Sequence, residues 1–419
     1  MTNPQLRFKK NNKQNYSDWK QASFREVMDI IKSGGTPSSK NPAFYDGQIP
    51  FLGISDITKN GKFITSTEKR ISEEGLKNCS AWLVPENSLI LAMYASYGKT
   101  CINKCALATS QALLTMIPKR SHCLEFLYQY CVHLNNVGFW DSHIKSGTQP
   151  NLSKETVASS TIHIPENEEQ GRIGSFFSLL DDKINLAERT LGLIENTRKA
   201  TTDQIFKRQL CLTKTDGSLY EHWQEHTFSS IFTFLRTKPI PRAHLNGHNS
   251  PYNIHYGDIL TKYDTTIDLQ TDELPSISDD INMSNTDVLK EGDLIIADTA
   301  EDSSAGKAIE ILNTSNQTIY AGLHTFACRP NTKFAPGFLG YYLNSSTYHN
   351  QLLRLMTGTK VLSISKAQIS TTKILIPTLA EQERITTLLN NLREKTRIQR
   401  KKLCALKALK NALLQQMFV

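Results

Sequence analysis

The chain writes one phrase twice. Residues 147–173 read GTQPNLSKETVASSTIHIPENEEQGRI, and residues 358–385 read GTKVLSISKAQISTTKILIPTLAEQERI. Gly-Thr answers Gly-Thr, and Ser153-Lys154 answers Ser365-Lys366. An alternating stretch then closes on Ile-x-Ile-Pro, and a Glu-Gln pair opens a long charged segment. From the Ser-Lys pair onward the offset is a constant 212 residues. Such a repeat restricts the fold more than composition does, because each copy must form the same unit and bury the same faces.

Downstream of each copy the apolar residues follow a heptad. In the second, Ile385, Leu389, Leu392, Leu403, Leu406, Leu413 and Met417 fall on alternating steps of four and three, with Thr396, Gln399 and Lys410 at the remaining seam positions. Counting back 212 gives Ile173, Phe177, Leu180, Ile184, Leu191, Ile194 and Ile205, with Ala187, Arg198 and Thr201 between them. This is an a/d seam sustained over four repeats. Arg198 and Lys410 interrupt it at matching places. Pro165 and Pro377 stand just ahead, where proline marks a helix boundary. Two helices of roughly 40 residues and roughly 60 Å are therefore predicted. A single apolar stripe of that length must be covered, and the economical cover is the other copy. The long detour between the copies permits either a parallel or an antiparallel pair.

The segments ahead of the helices are domain-sized. Each begins with a tryptophan and, five residues on, a phenylalanine: Trp19 and Phe24, Trp223 and Phe228. Each mixes short strands with Gly, Pro, Asn and Ser turns, and Ile162–Ile164 and Ile374–Ile376 have the period-2 pattern of strands. Apart from a recurring Gly-Lys after an apolar strand (Gly98-Lys99 and Gly306-Lys307), their sequences diverge. The expected architecture is α/β (α+β): a flexible lead over 1–18, a globular domain over 19–164, a helix over 165–212, a second globular domain over 213–376 and a second helix over 377–419.

Composition adds little beyond class. The formal net charge is +8, with 39% hydrophobic and 21% charged residues. A basic folded protein with a polyanionic partner fits these values. No run approaches the ~20 apolar residues of a membrane helix, and the lysine-rich start lacks the apolar core of a signal peptide, so a cytoplasmic protein without a membrane partner is expected. The eight cysteines are scattered. Cys101 and Cys105 have no second pair at zinc-site spacing, and no metal is expected.

Catalytic signatures are missing. Gly98-Lys99-Thr100 has the end of a phosphate-binding loop, but Met93 stands where its first glycine belongs. There is no H-E-x-x-H, no G-x-S-x-G and no methyltransferase Asn/Asp-Pro-Pro-Tyr. Asp298 and Asp302 read as acids of a surface loop. The chain is thus expected to have no catalytic residue. Two unlike domains on helical spacers suit a reader of two unlike half-sites, in which basic groups hold phosphates and side chains read base edges. The rival reading is a coiled-coil interaction scaffold without DNA recognition, which predicts no salt-sensitive duplex affinity. A second rival, a nuclease acting alone, predicts turnover by the isolated chain.

At this point the sequence resembles the specificity subunit of bacterial type I restriction-modification enzymes. The residues that carry the likeness are SGGTPS (33–38), DITKNGKFI (56–64), AGLHTFACRP (321–330), FLGYYLNSS (338–346), GTKVLSISKAQI (358–369) and the two Glu-Gln openings. The resemblance implies two target recognition domains, each reading half of a split duplex target, and two helices packed as an antiparallel coiled coil that fixes the gap. It further implies two methyltransferase subunits using S-adenosylmethionine, and restriction subunits using ATP and Mg2+ in a complete system. No cofactor is expected on this chain. One departure is plain: the second domain has FLRTKPIPR (234–242) near the place where the first has SGGTPS.

The residues expected at DNA are those that place backbone amides, hydroxyls or cations at strand ends and turns. They are Ser33, Gly34, Gly35 and Thr36; Tyr97, Gly98 and Lys99; Gly306 and Lys307; and His324, whose other reading is a structural histidine. The turns of Gly147 and Thr148 and of Gly358, Thr359 and Lys360 either face DNA or secure the junction of domain and helix.

Overall fold

The computed structural model describes residues 3–144, 151–314 and 317–419. The chain divides into two compact units, Met1–Arg189 with Arg400–Val419, and Thr190–Gln399.

The first unit is built on a five-stranded sheet of β1 (Met28–Ser33), β2 (Phe63–Ile64), β3 (Leu89–Ala92), β4 (Thr100–Asn103) and β5 (Leu113–Pro118), in the order β1-β5-β3-β4-β2. Neighbours are antiparallel except β4 and β2, which are parallel. β3 and β4 are buried along their whole length, so they read as unbroken apolar runs rather than alternating ones. Their side chains still sort by the two-residue pleat. Leu89 and Leu91 pack with Phe126, Tyr130 and Trp140, while Ile90 and Ala92 pack with Leu52, Ile64 and Leu107 on the other face.

The second unit repeats the plan with β6 (Phe232–Phe234), β7 (Thr266–Asp268), β8 (Leu294–Ala297), β9 (Ala308–Leu312) and β10 (Thr325–Pro330) in the order β6-β10-β8-β9-β7. The single parallel pair is again at the same edge. Leu294 and Ile296 face one core, Ile295 and Ala297 the other.

The repeated phrase explains how each domain joins its helix. Ser153 and Ser365 cap short helices, Lys154–Ser159 and Lys366–Ser370, by accepting from the amides of Thr156 and Gln368. The Ile-x-Ile strands come next, and each pairs antiparallel with the segment after a tryptophan: Thr161–Ile164 with Lys20–Ser23, and Lys373–Ile376 with Gln224–Thr227. The long helices then begin, α1 over Asn167–Phe206 and α2 over Leu379–Met417. Gln170 Nε2 donates to the Pro165 carbonyl at 3.0 Å while its Oε1 accepts from the Cys123 amide at 3.0 Å. Gln382 does the same with Pro377 and Ala335. Each glutamine is buried and ties the first helical turn to its domain.

Within the first unit, α1 and α2 are antiparallel: Asp181 meets Lys410 and Glu188 meets Lys407. Ile173, Phe177, Leu180 and Ile184 are buried with Met417, and Leu403, Leu406 and Leu413 pack against them half-buried. Within the second unit, Ile205 shares a core with Ile385 and Leu389, with Leu392 packed against it. Leu191 and Ile194 are half-buried.

The lead-in, expected to be flexible, is fastened instead. Arg7 forms a two-pronged ion pair with the buried Glu169, and Arg172 donates to the Lys9 carbonyl. A turn closes Lys9 onto Asn15, with the Lys10 amide donating to Gln14 O at 2.8 Å. A matching turn closes Thr213 onto Leu219, with the Lys214 amide donating to Ser218 O at 2.8 Å. The repeat therefore starts ahead of the tryptophans.

Candidate nucleic-acid interface

The antiparallel order of the first sheet puts the end of β1, the start of β5, the end of β3 and the start of β4 at one edge. Most of the expected residues of the first domain stand there. Ser33 ends β1, and Gly34 donates to Leu113 O at 3.3 Å while Gly35 donates to Thr109 O at 3.0 Å. Both glycines are buried, and a Cβ on Gly34 would lie 1.9 Å from Thr109 O. Their requirement is close passage of two backbones, and it leaves the exposed Thr36 at the rim. Beside them Lys32 lies over the Trp82 ring at 5.1 Å.

Between β3 and β4 the chain turns at Gly98, whose φ of 79° suits glycine. Tyr97 donates its hydroxyl proton to Asp141, and the exposed Lys99 reaches the Thr58 hydroxyl at 3.3 Å. Gly98 and Lys99 border a cleft of about 270 Å³ that Thr58, Lys62, Tyr128 and Asn135 also line.

Gly306-Lys307 is the same turn in the second domain. Gly98 N donates to Ala92 O and Gly306 N to Ala297 O; in return Ala92 N donates to Lys99 O and Ala297 N to Lys307 O. The side chains part company. Lys307 Nζ is half-buried and donates to the carbonyls of Tyr263 and Leu260, and burial lowers its pKa.

His324 sits just before β10 with a left-handed φ of 51°. Its Nδ1 is 3.3 Å from Asp298 Oδ1, and the Tyr256 ring meets it edge-on at 5.3 Å. Burial raises the Asp298 pKa while His324 opposes that rise. The Asp298 amide donates to His324 O, and Asp298 O accepts from Ile364 N. Ile364 follows the exposed turn of Gly358, Thr359 and Lys360, which Thr357 and Ser363 close with reciprocal bonds. The first domain has the same backbone frame with other side chains: Met93 N donates to Ala112 O, and Met93 O accepts from Leu152 N. Gly147 and Thr148 lie outside the described residues. FLRTKPIPR also leaves its sheet at this edge, where Arg236 pairs with Asp287.

Sequence reasoning passed over Asp298 as a loop acid. It is half-buried and holds the His324 ring, whereas Asp302 does cap its own turn by accepting from the Ser304 amide. Among the described residues no three His, Cys, Asp or Glu side chains gather as metal ligands, and no helix is long and apolar enough to cross a membrane.

A family model described as "Type I restriction modification DNA specificity domain" matches residues 16–196 and 220–408. The MjaIX specificity subunit of Methanocaldococcus jannaschii is 29% identical over 180 residues, covering 42% of this chain and 41% of the relative. The HindI specificity subunit of Haemophilus influenzae is 27% identical over 43% of this chain and 38% of its own length. The chain thus spans about two fifths of these two relatives. The MjaVIII specificity subunit of M. jannaschii is 22% identical over 92% of this chain and 88% of its own length. Among solved structures, the type I restriction-modification S subunit from M. genitalium superposes with a TM-score of 0.58 at 13% identity, covering 100% of this chain and 99% of that one. That likeness is one of fold.

Proposed function

Because the chain belongs to the type I restriction modification DNA specificity family, we propose that it is the non-catalytic specificity subunit of such a complex, each globular domain reading one half of a bipartite duplex target. The observation that carries this reading is a pair of domains with one strand order and one frame of backbone hydrogen bonds but unlike side chains at the same sheet edge. A constant frame positions the backbone, and the variable side chains supply two different half-sites. The antiparallel helices set the length of the unread gap. They also present apolar surface away from the seam, as at Leu179 (65% exposed) and Leu186 (66% exposed), which suits the docking of two methyltransferase subunits. Those subunits supply adenine methylation with S-adenosylmethionine, and restriction subunits, where the system has them, use ATP and Mg2+. The complex works in the cytoplasm.

Single-molecule methylome sequencing of cells with and without the gene tests the proposal. A split adenine-methylation motif that disappears on deletion supports it and yields both half-sites. Unchanged methylation in cells that express the chain and its methyltransferase overturns it in favour of a scaffold.

A further inference from the structure

Each domain is seated on the helix pair by charge, and the two seats differ at one position, an acid–base pair in the first and two bases in the second. In the first unit, Asp181 of α1 and Lys410 of α2 meet at 2.5 Å. Lys62, from the loop before β2, reaches Asp181 at 3.1 Å and Glu125 at 2.7 Å. Gln129 Nε2 also donates to Asp181, at 2.7 Å. The Lys62 side chain is only 8% exposed and that of Asp181 11%, so these are largely desolvated charges.

The positions 212 residues removed from Asp181 and Lys410 are Arg393 and Arg198, and they form the seat of the second unit. There Arg198 pairs with Asp264, from the loop before β7, and Arg393 donates to the Thr266 hydroxyl. The two loops correspond: Ile102 N donates to Lys62 O as Glu310 N donates to Thr265 O. The seat that holds an acid receives a lysine from its domain. The seat that holds two arginines receives an aspartate.

We propose that the exchange of Asp181 for Arg393 addresses each recognition domain to its own seat. A domain presenting Lys62 to Arg198 and Arg393 would lose Asp181 and set three cations against Glu125, the acid it brings with it. One presenting Asp264 to the first seat would find Lys410 in the place of Arg198 but the carboxylate of Asp181 in the place of Arg393. The first arrangement loses an attraction, and both gain a like-charge repulsion in a medium of low polarity. The charge at this one position therefore fixes which domain takes which seat. The inference concerns the fold and holds independently of what the domains bind.

Thermal unfolding of full-length variants tests it. Asp181→Arg is expected to lower the midpoint by roughly 5–10 °C, and Asp181→Arg with Lys62→Asp to regain at least half of that loss. A double variant no more stable than the sum of the single losses overturns the proposal. The second seat gives an independent cycle should the first fail to fold: Arg393→Asp alone is destabilising, and Arg393→Asp with Asp264→Lys regains at least half of the loss. A further chain, with residues 20–164 and 224–376 interchanged, should fold cooperatively only when Asp181→Arg and Arg393→Asp are added. Equal folding without those two changes overturns the proposal as well.

Discussion

Phe206 and Phe418, 212 residues apart, plug equivalent aromatic boxes at the ends of the two helices. Phe206 lies among Trp223, Phe338 and Tyr342, with ring centroids 6.2, 6.1 and 5.3 Å away. Phe418 lies among Trp19, Phe126 and Tyr130 at 6.2, 5.5 and 5.4 Å. Every member of one box answers a member of the other. Tyr130 and Tyr342 even accept the same strand amide, from His163 and Leu375. The end of α1 thereby anchors in the second domain, and the end of α2 in the first.

Emptying either box should be costly. Both phenylalanines are nearly fully buried, and Phe418→Ala or Phe206→Ala is expected to cost about 3–5 kcal/mol. Denaturant unfolding of each variant measures it.

The two tryptophans should respond unequally to replacement. Trp223 Nε1 donates to Glu381 at 3.0 Å, while Trp19 Nε1 is buried without a hydrogen-bond partner among the described residues and Arg7 serves Glu169 in its place. Trp223→Phe leaves a buried acid short of a donor. It should cost about 1–3 kcal/mol more than Trp19→Phe, as compared by unfolding midpoints.

Acid and base should act on different units. Burial lowers the His133 pKa to about 4, below its unfolded value, so His133 favours the folded first unit above that unfolded value and the contribution is lost as pH falls toward 4. Burial raises the Glu310 pKa to about 7, although it accepts from the Gly337 and Gly340 amides. Glu310 therefore favours the folded second unit at low pH, and that contribution, on the order of 3 kcal/mol, is lost as pH rises toward and through 7. Glu310→Gln should flatten the stability profile of the second unit between about pH 5 and 8, read by residue-resolved hydrogen exchange.

The helix seam should be sensitive and its outer face tolerant. Leu403→Asp puts a charge against the first core and is expected to cost about 2–4 kcal/mol. Leu409→Asp, at a half-exposed position of the same helix, should stay within about 0.5 kcal/mol of the parent. If the helices set the gap, only Leu403→Asp should also blur gap-length selectivity in duplex binding.

Much of this fold is legible in the sequence where one residue type does one job. The Ser-Lys caps, the Ile-x-Ile strands, the Gly-Lys turns and the heptad seam keep both type and spacing in the two copies. The lead-in turn is not legible, because Lys9–Asn15 and Thr213–Leu219 share a backbone pattern but hardly a residue, and their offset is 204 rather than 212. The Asp298–His324 pair is hidden for a related reason. Its counterparts are Met93 and Ala112, so comparing the copies shows only divergence there. Arg198 and Lys410 look like defects in an apolar seam until Asp264 and Asp181 are seen opposite them.

The glutamines of the two Glu-Gln phrases carry one more implication. Gln170 and Gln382 join helix to domain with amides, which neither titrate nor attract counterions. Binding to a polyanion is turned up and down by ionic strength, but these joints are not. If the domains hold nucleic acid as proposed, a change of salt that releases it should leave these two joints as firm as before, whatever it does to the ion pairs beside them.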